Sequence, residues 1–481
     1  MSGHDVVVVG AGAAGGWAAK ELTERGLRVA LLDAGPVIPA PGGGGLERRP
    51  LQADCYACTE QTANLFVDDL DNPFETAEGT EYRWIRSRQV GGRLHVWGRT
   101  SPRMDDDEFK AASEDGVGQD WPVSAAALAP AYAHVEEFLG VRRAPLVAAE
   151  RGLKDAIEAR WPSRTVEETP WACREPGRML QAALRTGRLT LLAETIAEKV
   201  LVAPDGERAT GVAVVDRHSG ARDEIEGRAV VLCASALEST RLLLNSATPD
   251  HPNGLANSSG ALGRYLMDHT YGTYFEGVAP PREEDEYEPR SQGAFMPGYR
   301  NLTEEGEGFL RSYGIELQVM TRPKRAGRLR RGVRDDFWMS AFGEVLPDRD
   351  NGVELDPERT DAWGIPTLRV QARYGQNEQA MARDQLATMR EMLEVGGFEI
   401  TSSGEELSPP GLSAHELGTA RMGSDPGSSV LDDHNRSWDV PNLLVTDAAS
   451  FTSSGHRNPT LTIMALTVRA CQRLADELTG S

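Results

Sequence analysis

Two short blocks near the C-terminus carry residues whose types and spacing could do chemistry together. The first is Ala414-His415-Glu416-Leu417-Gly418-Thr419-Ala420-Arg421-Met422-Gly423, and the second, 43 residues beyond the histidine, is Asn458-Pro459-Thr460-Leu461-Thr462-Ile463. An imidazole on a glycine-flanked turn can take a proton from a hydroxyl, and a neutral amide can hold the oxygen without competing for that proton. The pair therefore suits removal of hydrogen from an alcohol carbon. His456, two residues before the asparagine, is the rival base and a further hydrogen-bond partner for a substrate. Pro459 fits the first turn of a helix running to about Leu478, because its fixed φ suits that turn and its missing N–H is not needed there. Asn458 then stands where a helix cap stands, and capping and substrate binding are compatible roles. The positive end of such a helix favours negative charge developing in front of it.

Hydrogen removed in this way needs an acceptor, and the opposite end of the chain supplies a place for one. Val6-Val7-Val8-Val9 has strand character and runs into Gly10-Ala11-Gly12-Ala13-Ala14-Gly15. The first glycine allows the tight turn, the second lets a pyrophosphate approach the backbone, and the third lets the next helix pack on the strand. Ala19, Leu22 and Gly26 continue at helix spacing, and Val29-Ala30-Leu31-Leu32 forms a second strand ending in Asp33. That acid lies about 20 residues past the glycines, where a dinucleotide's ribose hydroxyl is expected. A nicotinamide-linked dehydrogenase could use the same fingerprint, but it leaves the C-terminal blocks unexplained. A flavin monooxygenase or reductase would need a second Gly-x-Gly-x-x-Gly for its nicotinamide donor, and the sequence has none.

The formal charge of −22 over 481 residues argues against nucleic acid or an anionic membrane as partner, although solubility alone accounts for such a charge. No apolar stretch approaches the length of a transmembrane helix, and a strand beginning by Val6 leaves no room for a secretory signal. A soluble, cytoplasmic protein is expected. The five cysteines, at 55, 58, 173, 233 and 471, do not form a disulfide framework. Cys55 and Cys58 have the spacing of half a zinc site or a redox pair, but no second pair completes it, and no metal is expected.

The elements that must position these blocks can be traced in outline. Residues 36–50 read as a loop, and residues 82–99 are dense in arginine, tryptophan and glycine, a composition that lets backbone lie against a flat ring. Residues 124–140 and 150–160 look helical; 189–215 is strand-rich, 216–220 a hairpin turn, and 229–233 a buried strand leading through Ala234 and Ser235 into a helix. That second strand-to-helix passage again has the form of a nucleotide-domain element, so the first domain is interrupted and resumed. From 271 to 400 strands, proline turns and charge runs alternate. Glu283 to Glu286 form an acidic run, and Arg322, Lys324, Arg325, Arg328, Arg330, Arg331 and Arg334 a basic one; both suit solvated loops, or one a lid. Residues 377–395 predict one amphipathic helix with Met381, Leu386, Met389 and Leu393 toward the core.

Taken with its two ends, the chain resembles the glucose-methanol-choline (GMC) family of FAD-dependent oxidoreductases over essentially its whole length. The resemblance rests on the fingerprint through Asp33, the Val90-Gly91-Gly92 to Gly98 segment, the Cys233 to Leu244 element and, most specifically, the histidine before Gly-Thr with an asparagine opening the final helix. It implies an α/β fold. A Rossmann-type FAD-binding domain (1–109, 190–265 and 405–481) would be interleaved with an α+β substrate-binding domain (110–189 and 266–404) built on an antiparallel sheet. It implies cofactor contacts from Gly10, Gly12, Ala13, Ala14, Gly15, Asp33 and Ala34, and from Arg86, Gly91, Gly92, Arg93, His95, Val96, Trp97 and Gly98. Further contacts would come from Ala197, Ala234, Ser235 and Glu238, and from Asp447, Ala448, Asn458, Pro459 and Thr460. His415 would be the base and Asn458 the residue that holds the oxygen, with His456 at the substrate.

Within that family the 91–104 stretch looks most like pyranose oxidases and their bacterial sugar- and glycoside-oxidising relatives. A sugar or glycoside hydroxyl is then the expected donor, oxidised to ketone or aldehyde, with O2 or another acceptor taking the electrons. Oxidation of an aminoglycoside or amino sugar is the alternative, and a flavin-binding protein without turnover is the alternative of another class. Members that link FAD to a histidine place it sixth from the first glycine; here the sixth residue is Val96, with His95 one place early. Consecutive residues of an extended segment point opposite ways, so non-covalent FAD is expected.

Overall fold

The computed structural model describes residues 3–38, 58–59, 62–67, 69–70, 72–175, 177–281, 291–320 and 335–480. The glycine run of the 36–50 loop, Cys55, the acidic run at 283–286 and the basic run from Arg322 to Arg334 lie outside them. Four successive valines give a strand that is apolar on both faces and must be covered on both. The strand His4–Val9 is accordingly interior, with Val29–Leu32 on one side and Arg222–Leu232 on the other, all parallel. Leu189–Leu192 extends the sheet beyond Val29–Leu32, and Leu443–Val445 pairs with Arg222–Leu232, both again parallel. Arg222–Leu232 is shared between two pairings: its first half runs antiparallel to Ala209–Asp216, and only its buried second half joins His4–Val9. The helices Ala13–Glu24 and Thr460–Thr479 cover one face, where Ala18, Leu22, Cys471 and Leu474 pack on Val6, Val8, Leu31 and Val231.

This arrangement brings the carboxyl ends of the parallel strands to one edge. Gly10, Asp33, Ala234 and Asp447 stand there as the first residues beyond, or close beyond, four of the strands. In open α/β sheets that edge is where ligands bind.

A second, antiparallel sheet has the order Glu399–Gly404, Tyr274–Val278, Asp336–Glu344, Tyr313–Met320, Ala294–Met296 and Glu167–Glu168, with His269–Thr270 paired to the end of Asp336–Glu344. Side chains alternate across it. Phe275, Ile315, Leu317, Phe337, Met339 and Ala341 face a core closed by Leu153 and Ile157 of the helix Ala148–Arg160 and by Met381, Met389 and Leu393 of the helix Gln376–Val395. Leu386 is only partly buried against the same core. The opposite face carries Tyr274, Gly314, Glu316, Trp338, Ser340 and Phe342, and it meets the C-terminal blocks. Among the described residues no helix is long and apolar enough to cross a membrane, and no three His, Cys, Asp or Glu residues are grouped so as to hold a metal ion.

Candidate active site

The glycine fingerprint has the close contacts a dinucleotide cradle requires. Gly10 has φ +96°, and a Cβ there would lie 2.4 Å from the Cys233 carbonyl oxygen. At Gly15 a Cβ would lie 1.7 Å from the Gly10 oxygen, so the helix sits on the strand only because both residues lack side chains. Between them, Gly12 has no described residue within 4 Å of its Cβ position. That space lies at the start of the helix Ala13–Glu24, where Ala13 and Ala14 present N–H groups without intrahelical partners. Gly91 N donates to the Ala11 carbonyl at 3.1 Å, and a Cβ on Gly92 would come within 3.2 Å of Gly12 Cα, so the second glycine pair closes over the first.

Asp33 is buried and accepts hydrogen bonds from the backbone N–H of Ala11 and of Gly35, each at 2.9 Å; burial raises its carboxyl pKa against those two donors. Thr195 N donates to the Asp33 carbonyl at 2.9 Å, which sets the strand Thr195–Val202, with Ala197, beside this edge; Ala34 packs against Ile196 and Val215. Ser235 has φ +84° with ψ 154°, a backbone conformation rare for a residue with a side chain, and Ala234 N is held by Ser239 Oγ, which in turn donates to Asp447. Burial would raise the Glu238 carboxyl, but Arg241, Arg88 and Arg86 together hold it below its ordinary value. Arg86 itself is committed to Asp69 at 2.5 Å and to the Asn72 carbonyl at 2.6 Å, and it stacks over Trp84. Arg88, which the sequence did not single out, makes the 3.2 Å contact with Glu238.

The loop around His415 places three demands on the backbone. Ala414, Gly418 and Thr419 all have positive φ, at 58°, 80° and 77°. Left-handed non-glycine residues cost on the order of 1 kcal/mol each and persist where their surroundings overdetermine them. Here Leu417 exchanges both backbone hydrogen bonds with Met267, Gly418 N and Ala420 N donate to the Ala448 and Ala449 carbonyls, and the Thr240 and Thr419 hydroxyls meet at 2.7 Å. Asp447 caps this neighbouring turn by accepting from Ala449 N. The His415 ring is then set perpendicular to that of His269, with the two Nδ1 atoms 2.9 Å apart, and Phe342 lies 6.2 Å away between centroids. Burial, with His269 and Arg93 beside it, holds His415 well below the usual imidazole pKa.

The block before the final helix is fixed as firmly. Trp121 Nε1 donates to Ser453 Oγ at 2.7 Å, His456 N to Glu108 at 2.9 Å, and Arg457 pairs with the same buried carboxylate at 2.9 Å. Pro459 has helical angles (φ −81°, ψ −14°), accepts from Ile463 N and leads into Thr460–Thr479. Alternate residues of the strand Tyr313–Met320 and its approach address this loop in turn. Ser312 Oγ and His456 Nε2 both lie against Gly298, where a Cβ would fall 2.5 and 2.6 Å from them; the missing side chain of Gly314 admits the His456 carbonyl; and the Asn458 side chain, facing Glu316, opposes the rise in its carboxyl pKa. Burial pushes Glu316 up to about 7, and its Oε1 has no hydrogen-bond partner among the described residues. His456 is buried, with its pKa pushed down to about 3 chiefly by burial; its Nε2 has no hydrogen-bond partner among the described residues and lies 4.0 Å from Asp107.

Residues 176–271 and 347–467 match the two GMC oxidoreductase family models, and residues 5–47 match an FAD binding domain. The chain belongs to the GMC oxidoreductase family. It is 29% identical to 2-methyl-1,2-propanediol dehydrogenase of Mycolicibacterium austroafricanum over 97% of this chain and 94% of that one. To the fructose dehydrogenase large subunit of Gluconobacter japonicus it is 27% identical, over 98% of each. Pyridoxine 4-oxidase from Mesorbium loti shares its fold, with a TM-score of 0.67 at 19% identity over 98% of this chain and 99% of that one.

In this GMC oxidoreductase His415 and Asn458 fall within the C-terminal match, and His269 within the other. His269, Glu316, Glu108 and Phe342 escaped the sequence reading because each is brought to the site by strand pairing or a distant turn. Between the aromatic rings of Tyr271, Tyr274 and Trp338 lies a cavity of about 570 Å³, also lined by Glu276, Glu406 and Leu412. Tyr271 stacks on Phe342 at 5.8 Å, and Phe342 lies 6.2 Å from His415, so these two rings link the cavity wall to the imidazole.

One local expectation is corrected. Gly92–His95 is a 3₁₀ turn and not an extended segment, because Gly91 at φ +99° reverses the chain just before it and Gly92, its first residue, also has a positive φ of +52°. His95 Nε2 lies 2.8 Å from the Val90 carbonyl, while Val96 packs with Ala414 and Leu412 against the Phe66 and Ile85 cluster. Trp97 rests on the main core and Gly98 is exposed. Cys58 is buried in that same small cluster.

Proposed function

We propose that this GMC oxidoreductase oxidises a hydroxyl of a sugar or glycoside to a ketone or aldehyde, with His415 taking the hydroxyl proton and Asn458 holding the oxygen. The observation that carries the reading is a buried imidazole kept neutral near pH 7 and linked through Phe342 and Tyr271 to an aromatic-walled cavity. FAD, when bound, supplies the hydride acceptor. Its phosphates would be held by Gly12, Ala13, Ala14 and Gly92, its adenosine by Asp33, Ala34, Ala197 and Glu238, and its ring would lie near Ala448, Asn458, Pro459 and Thr460. The free space at Gly12 and the closure by Gly92 fit such a group. Non-covalent attachment is supported by the tie of His95 to the Val90 carbonyl and by an apolar Val96 in the linking position. On this reading 1–109, 190–265 and 405–481 form the FAD-binding domain, and 110–189 and 266–404 the substrate domain.

A neutral His415 has a lone pair available at physiological pH, and a positioned base of this kind contributes about 10²- to 10⁴-fold in rate. Asn458, facing Glu316, presents its amide to the oxygen. Aromatic rings such as Tyr274 and Trp338 cover the C–H faces of a sugar, while Glu316, Ser340 and His456 offer unpartnered polar atoms to its hydroxyls. Similarity to a fructose dehydrogenase points the same way. The two cavity carboxylates, Glu276 and Glu406, favour amino sugars as a second reading. Anaerobic mixing with a panel of sugars, glycosides and amino sugars, followed by admission of O2, tests both. Flavin bleaching by none of them would remove the proposal, and reoxidation after O2 would identify oxygen as an acceptor.

A further inference from the structure

We infer that His269 is a positioning residue that holds His415 in one tautomer, with the proton on Nδ1 and Nε2 left as the proton-accepting nitrogen. The inference rests on the reading of His415 as base and extends it to a residue that touches no substrate.

Two ring nitrogens 2.9 Å apart need one proton between them, and the question is which ring owns it. The other nitrogen of His269 decides. His269 Nε2 lies 3.0 Å from the carbonyl oxygen of Gly455, a group that can only accept, so Nε2 carries hydrogen and donates. Burial pushes the His269 pKa down to about 4, so the ring is neutral near pH 7 and has a single proton. Its Nδ1 is therefore bare. The proton between the rings belongs to His415 Nδ1, and since His415 is also kept neutral, its Nε2 is bare. The reverse arrangement would set a lone pair on His269 Nε2 against the lone pairs of the Gly455 oxygen.

Each member of this line is anchored by a different part of the fold. His269 sits on the short strand His269–Thr270, whose partner is the end of Asp336–Glu344, and Tyr374 donates its hydroxyl proton to the His269 carbonyl at 3.0 Å. Gly455, at φ +66°, belongs to the block that ends in Asn458, and a Cβ there would lie 2.6 Å from Glu108. His415 is carried by the strained turn described above. The imidazole pair thus couples the substrate sheet, the 453–458 loop and the base, and fixes which face of the base is basic.

The test uses the FAD-loaded enzyme with histidine labelled in ¹⁵N, and the His415→Ala spectrum to assign the His415 signals. Wild type should give the pattern of a protonated Nδ1 and a bare Nε2. His269→Leu should slow the limiting rate of flavin reduction by about 10- to 10³-fold, since loss of the orienting partner of a catalytic histidine costs up to about 10⁴-fold, while apparent substrate affinity stays near wild type. His269→Asn, whose side-chain oxygen can accept from Nδ1, should recover the rate to within about tenfold. A wild-type spectrum with the proton on His415 Nε2 would overturn the inference, as would equal rates in the Leu and Asn variants. Rapid flavin reduction by His415→Ala would instead remove the assignment of the base, and the wild-type spectrum would still decide the tautomer.

Discussion

Arg93 grips the base-bearing loop on both sides of His415: its Nη1 lies 2.8 Å from the Glu416 carboxylate and donates to the Ala414 carbonyl at 2.8 Å. Glu416 is fully buried, whereas Arg93 is about a third exposed, so the charge pair is weighted toward the carboxylate's need for a partner. Arg93→Leu should therefore destabilise the protein by about 2–4 kcal/mol through the unpaired Glu416, and slow flavin reduction as the His415 turn loosens. Adding Glu416→Gln should return part of the lost stability. An unchanged melting temperature in the single variant would show that the pair does not hold the loop.

His415→Ala should nearly abolish flavin reduction by substrate while leaving FAD bound, and His456→Ala should be milder. The structure gives the rivals different settings: His415 stands on the line from His269, whereas His456 makes no side-chain hydrogen bond among the described residues and lies between carboxylates, its Nε2 4.0 Å from Asp107 and its Nδ1 3.6 Å from Glu108. The reverse ranking in single-turnover reduction would move the base to His456.

Acid precipitation of the yellow protein should release FAD into the supernatant. The turn at Gly92–His95 directs His95 to the Val90 carbonyl, and Val96 has no nucleophile to offer. Flavin retained in the pellet would require a covalent link elsewhere.

The split between what could and could not be read in the chain follows from the range of the interactions. The valine strand, the glycine turn and Asp33 are consecutive, and their contacts lie within one strand-turn-helix unit, so their spacing alone places them. Asn458 and Pro459 are likewise local to the start of one helix. His269 and Glu316 lack any motif: the first reaches His415 through pairing with Asp336–Glu344, the second reaches Asn458 because alternate residues of Tyr313–Met320 face the loop. Arg86 and Arg88 were indistinguishable by type and spacing, and only the position of Asp69 divides their work. At Gly92–His95 two adjacent positive φ values converted an apparently extended run into a turn.

Glu316 should make stability fall as pH rises. Its folded pKa is raised to about 7 from an ordinary 4.5, so the folded state holds a proton that the unfolded state has lost between those values. Stability attributable to this group is highest below about pH 4.5 and declines until about pH 7, by up to about 3 kcal/mol. Glu316→Gln cannot ionise. Its melting temperature should therefore gain on that of wild type between pH 5 and pH 8, and a pH-independent difference would mean that Glu316 is not held protonated.

Salt should separate the two substrate readings. Glu276 and Glu406 line the cavity walled by Tyr271, Tyr274 and Trp338, and the chain as a whole carries −22. A cationic amino sugar approaching that cavity would be steered by the field, whereas a neutral glycoside would not. Raising ionic strength shortens the reach of the field to about 8 Å at physiological salt and less beyond it. If the substrate is cationic, kcat/KM should fall steeply with salt, and Glu276→Gln with Glu406→Gln should flatten the dependence while leaving the limiting rate of flavin reduction near wild type. A salt-independent kcat/KM, or faster turnover of neutral glycosides than of amino sugars, would assign the aromatic walls the dominant part in recognition and leave the acidity to solubility.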